Sequence, residues 1–159
     1  MSDEILIIDG KEYDKKTLNK AFDEEKERLE RLTRLSIFIK DNEENLENLN
    51  SLKTSLPGLS YDENKGKSSV ISSFENMIVK IADLEEDLIS KKYQYILAKS
   101  KLLQDLSHIR LLQAEVIKLK YIEERDNLYI SAKVDRSESR VRALINEAIR
   151  ELAINKLKE

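Results

Sequence analysis

The chain has 159 residues, a formal net charge of −3, 37% charged and 6% aromatic residues, three Gly, one Pro, one His and no Cys. That balance excludes disulfides, thiol chemistry and a multi-histidine metal site, and argues against a nonspecific nucleic-acid binder. No apolar run approaches the roughly 18 residues of a membrane span, so no membrane role is expected. The opening MSDEILIIDG is acidic before its apolar stretch, unlike a secretory signal, so the expected location is cytoplasmic. Few breakers and many Leu, Ile, Lys and Glu predict an all-α fold of long helices.

Residues 4–13, EILIIDGKEY, place Asp9-Gly10 between extended segments, which signals a short N-terminal β-hairpin. Such a hairpin needs a helix or partner to pack on; the alternative is a frayed terminus over residues 1–14. From Lys15 to Leu52, Leu18, Phe22, Leu29, Leu32, Leu35, Ile39, Leu46 and Leu49 recur at helical spacing and form one amphipathic stripe. Residues 53–70, KTSLPGLSYDENKGKSSV, hold the only Pro and two of the three Gly. They read as a loop, with Ser72 or Ser73 capping the next helix. Lys65-Gly66-Lys67 lacks the glycine spacing and preceding strand of a phosphate loop.

A second helix is expected from Ile71 to Leu106, with its stripe at Phe74, Ile78, Ile81, Leu84, Leu88, Tyr95, Leu102 and Leu106. Two such helices, each about 50 Å long, form a long antiparallel hairpin, a coiled-coil-like arm over 15–106. Its leftover apolar surface suits a second copy of the chain, hence an expected homodimer. His108 sits at a break in the pattern and reads as a helix-end cap or a half-buried packing residue, not a catalytic base. Neither Glu43-Glu44 nor Glu85-Glu86 makes a chelate, because adjacent helical residues diverge by about 100°. No nucleophile, base and stabiliser come together, so neither an enzyme nor a cofactor is expected.

Residues 107–159 form the third part. Leu111, Leu112, Val116, Leu119 and Tyr121 start a helix, and Asp126 or Asn127 caps the next one. That short helix carries Leu128, Ile130 and Val134 and runs into Asp135-Arg136-Ser137. Asp135 tolerates the left-handed backbone a tight turn needs, and Ser137 is a good N-cap for a helix with Val141, Leu144, Ala148 and Ile149 inward. This reads as a small C-terminal helix-turn-helix bundle; an ordinary helical hairpin is the alternative. From Ser107 on there are 11 Lys+Arg against 9 Asp+Glu, whereas residues 1–106 have 17 against 22.

In this motif the start of the second helix enters the major groove. The candidate DNA-binding residues are therefore Arg136, Ser137, Glu138, Ser139, Arg140, Arg142 and Asn146. Arg136 and Ser137 would touch phosphates and set register. Arg142 suits a bidentate contact to guanine, and Glu138 can accept from cytosine N4.

The spacing Leu119-Lys120-Tyr121, Ile130-Ser131, Val134-Asp135, Ser137, Val141, Ala148-Ile149 resembles the fourth-region helix-turn-helix of sigma factors. It is similar in particular to small phage and prophage proteins of Gram-positive bacteria that join a helical arm to such a module. IADLEEDLISKKYQYILAKSKLLQDL and the loop before it also resemble theirs, so the likeness covers residues 50–152. Three positions depart from the pattern: Ser131 for Ala, Asp135 for Gly, and Asn127 near where Trp is common. The resemblance implies a late-transcription regulator in a bacterial host cell. It would bind double-stranded promoter DNA, with the arm dimerising or contacting RNA polymerase. The other expectation is a helical adaptor that binds a host or phage protein and has no nucleic-acid role; Asp135 and the acidic balance favour it.

Overall fold

A computed structural model describes residues 5–55 and 67–159. Strands β1 (Ile5–Ile8) and β2 (Lys11–Asp14) are followed by helices α1 (Lys15–Ser55), α2 (Lys67–Leu106) and α3 (Leu111–Ile117). A π-helical turn (Lys118–Ile122) then leads to α4 (Asn127–Val134) and α5 (Glu138–Leu157). The fold is all-α with a two-stranded N-terminal hairpin. No helix among the described residues is long and apolar enough to cross a membrane.

The hairpin pairs antiparallel from Ile5 with Asp14 to Ile8 with Lys11. Its turn needs two consecutive left-handed residues, and Asp9 (φ 51°) and Gly10 (φ 80°) provide them. Ile8 is buried, and the Tyr13 hydroxyl donates to the Leu157 carbonyl at 2.8 Å, tying β2 to the end of α5. Asp14 caps α1 by accepting from the Thr17 N–H at 2.8 Å. The Thr17 hydrogen bonds hold the Asp14 carboxyl below its ordinary value. The stability from this cap is therefore present above the ordinary carboxylate range and is lost as pH falls through the depressed value.

Packing divides the chain into two units, residues 1–34 with 97–159 and residues 35–96. The boundaries expected after residues 14 and 106 follow breaks in periodicity; compactness instead groups the start of α1 with the C-terminal helices. In the second unit the segments of α1 and α2 run antiparallel. Lys92 Nζ meets Glu43 Oε1 at 2.6 Å, and Lys91 Nζ lies 5.6 Å from the Phe38 ring centroid. Ile39, Ile81 and Leu88 are buried there. The α1 stripe is as expected, with Leu35, Leu46 and Leu49 half-buried. Ile78 departs from its predicted inward place and is 40% exposed.

Two helix ends also differ from expectation. Helix α1 continues to Ser55 and α2 begins at Lys67, so Ser72 and Ser73 lie inside α2 and do not cap it. The rest of the expected loop, residues 56–66, lies outside the described residues, as do residues 1–4.

The first unit holds the larger core. Leu29 and Leu32 of α1 and Leu102 and Leu106 of α2 are buried, as are Val116, Ile117, Leu119, Ile130, Val141, Leu144, Ile145, Ala148, Ile149 and Leu152. An ion network built around the buried Glu25 runs through the unit. Glu25, 2% exposed, is 3.0 Å from the Arg28 guanidinium and 2.6 Å from Lys156 Nζ. Arg28 also meets Asp105 at 2.7 Å, and Lys101 meets Asp105 at 3.2 Å. The Thr33 hydroxyl donates to the Tyr121 carbonyl at 3.4 Å. Burial first, then the Glu30 carboxylate, pushes the Tyr121 hydroxyl above its ordinary value. Leu111 and Leu128, both part of the apolar pattern, lie outside this core, and His108 is exposed rather than half-buried. Leu111 is 90% and Leu128 66% exposed, and His108 lies in the α2–α3 break. Each sits at or beside a helix start, where periodicity does not yet define an inner face.

Candidate nucleic-acid interface

The C-terminal helices are placed by local chemistry that short sequence signals encode. The Asp126 carboxylate accepts from the Tyr129 N–H at 2.8 Å and caps α4. Helix α4 ends at Asp135, whose φ of 55° and ψ of 53° are left-handed, and the Asp135 N–H returns to the Ser131 carbonyl. The Arg136 N–H also donates to that carbonyl, at 3.1 Å. Ser131 donates its hydroxyl forward to the Arg136 carbonyl. Ser131 thus braces the turn. Ser137 then caps α5, its Oγ accepting from the Arg140 N–H at 3.1 Å. Only Ile130 of α4 is buried, and Val134 is half-buried. Along α5, Val141, Leu144, Ile145, Ala148, Ile149, Leu152 and Ala153 face the core.

All seven candidate contact residues are exposed. Six of them cluster in the turn and the first two turns of α5. Arg136 lays its guanidinium on the turn, donating to the carbonyls of Asp135 at 2.9 Å and Val134 at 3.4 Å. That position suits a cation at a helix C-terminus. Ser137 accepts through Oγ and keeps its own proton as a donor for an incoming oxygen. Glu138 and Arg142 face each other at 3.9 Å, and Arg140 reaches Glu147 at 3.1 Å. Both pairs are exposed and worth no more than about 1 kcal/mol, so a phosphate or base edge can displace them. Ser139 lies one turn before Arg142 on the same side of α5.

Asn146 stands apart from this cluster. With Glu147 and Arg150 it borders a cleft of about 900 Å³ that Ile5, Leu18, Phe22 and Lys26 also line. Two cations that the sequence did not single out flank the motif. Lys133 is exposed on α4, and the Arg125 guanidinium stacks 4.5 Å from the Tyr129 ring centroid. From Lys133 to Arg142 there are four cations and two carboxylates, a locally basic surface on an acidic chain. No group of three or more His, Asp or Glu side chains among the described residues is arranged to hold a metal ion.

Asp135 offers a direct test of this turn. Glycine removes the left-handed penalty but has more chain entropy to lose, so Asp135→Gly should stabilise the protein by roughly 0.5–1 kcal/mol. Urea denaturation measures this, and an unchanged or lower midpoint would contradict the left-handed assignment. No family model, curated protein or solved structure matches this chain.

Proposed function

We propose that the α4–turn–α5 unit binds double-stranded DNA and that the protein is a transcriptional regulator of the phage type. In this reading α2 and the distal part of α1 supply contacts to a second copy or to RNA polymerase. The supporting observation is the capped, left-handed turn from Asp135 to Ser137, which sets Arg136, Ser139, Arg140 and Arg142 at the surface around one helix start. Helix starts favour anions through free N–H groups and the helix dipole. Arg136 and Ser137 contact the backbone, and Arg142 reaches a base edge once Glu138 releases it.

The experiment is selection from a random duplex pool at low salt, followed by anisotropy titrations with the retained sequences. Wild type should bind with an affinity that falls linearly in log–log form with salt. Arg140→Ala/Arg142→Ala should lose roughly 10- to 100-fold in affinity and flatten the salt slope by about 1 for each phosphate contact removed. No retained duplex, or a double variant that binds like wild type, would defeat the proposal. The adaptor reading draws on the carboxylates of Asp135, Glu138 and Glu147 within the same surface. It expects a stoichiometric protein partner whose binding the double variant leaves intact.

A further inference from the structure

Helix α2 carries a second apolar stripe besides the one it turns toward α1. Val79, Ile89, Tyr93, Ile96 and Leu103 are exposed, Ile89 by 70%, Tyr93 by 63% and Ile96 by 62%. With Ala82, Glu86 and Ser100 they recur at alternating steps of three and four residues, the a and d positions of a heptad. The seam from Val79 to Leu103 is about 36 Å long at 1.5 Å per residue. An exposed apolar face of that length marks an interaction surface.

Charge along the same helix says what covers it. Between Val79 and Leu103, Lys80, Asp83, Glu85, Glu86 and Asp87 precede Ile89, one cation against four carboxylates, whereas Lys91, Lys92, Lys99 and Lys101 follow it. A helix charged in this way is its own complement when turned end for end. A two-fold axis at the level of Lys91 sets each acidic half against the basic half of a second copy. The parallel, in-register arrangement would set like charges side by side.

We propose that two copies of this chain associate through this face of α2, with the two helices antiparallel. Layering a positions on d positions sets Ile89 against Tyr93 of the second copy, and Glu86 against Ile96. Glu85 and Lys99 of the second copy then flank the seam as an opposite-charge pair, made twice by symmetry. Lys92 and Lys101 also bond within their own chain, to Glu43 and Asp105. Glu86 and Ser100 interrupt the apolar seam and so specify its register at some cost in stability. The inference deepens the proposed role of the helical arm and does not depend on DNA binding.

Light scattering on the full chain without DNA tests it. Wild type should show twice the chain mass of 18.5 kDa. Ile89→Glu/Ile96→Glu should show the single mass with its helical circular dichroism retained. Glu85→Lys should weaken association about tenfold at low salt, and adding Lys99→Glu should restore it. The chain has no cysteine of its own, so introduced thiols report orientation. Glu86→Cys chains mixed with Ile96→Cys chains should form the mixed disulfide and little of either symmetric one. A monomeric wild type at the highest attainable concentration would overturn the proposal. So would a dimer in which each cysteine variant cross-links only to itself, or one indifferent to both charge changes. Duplex binding by a monomer would sink this inference alone, and a dimer that ignores duplex DNA would sink the DNA reading alone.

Discussion

Ile130→Ala should destabilise the C-terminal unit by about 2–5 kcal/mol, the usual cost of removing a fully buried isoleucine and leaving a cavity. Ile130 is 0% exposed and is the one buried residue of α4. Its neighbours Leu128 and Tyr129 are 66% and 42% exposed, so they do not replace its burial. Helix α4 has eight residues, too few to persist without packing. Losing the anchor should therefore release the turn as well as weaken the core. Denaturant unfolding gives the magnitude, and amide hydrogen exchange at Ile130 to Asp135 shows where it acts. Ile130→Val should cost only about 1 kcal/mol and leave exchange in the turn slow. An alanine variant with wild-type stability would mean that α4 is held by other contacts.

Arg28→Met should cost about 2–3 kcal/mol. Removing one partner of a buried ion pair usually costs about 3–5 kcal/mol, because it leaves a buried charge uncompensated. Here the loss is smaller, since Glu25 keeps Lys156 and Asp105 keeps Lys101. Arg28 nevertheless bonds both carboxylates, at 3.0 Å and 2.7 Å. Met keeps the apolar stem and removes the charge. Adding Glu25→Gln should recover part of the loss, with a coupling energy of about 0.5–3 kcal/mol in the double-mutant cycle. Additive effects of the two substitutions would show that the pair is electrostatically idle. The network joins α1, α2 and α5, so its loss should also speed exchange in α5 near Lys156.

Much of the candidate site was legible because its signals are local. Asp9-Gly10, Asp126, Asp135 and Ser137 each act through the backbone within about four residues, and each occupies the turn or cap its chemistry suits. The inward faces of α1 and α5 follow from periodicity over several turns. Periodicity defines no inner face at short elements and helix starts: Leu111 and Leu128 belong to the apolar pattern and are exposed. The bond from Ser131 was not legible in the sequence, because its acceptor, the Arg136 carbonyl, comes into reach only when the turn closes.

The amino-acid order by itself determined the helices, the hairpin turn and the exposed, mostly basic start of α5. These depend on interactions between near neighbours, which any chain with these residues makes. Only the tertiary structure decided that residues 5–34 pack with residues 97–159, and that Glu25 is buried between Arg28 and Lys156. It also decided that Asn146 borders a cleft while Arg142 lies at the helix start. A glutamate on a charged helix face carries no mark of burial; its cost is offset by cations that arrive from distant parts of the sequence, and only folding brings them there.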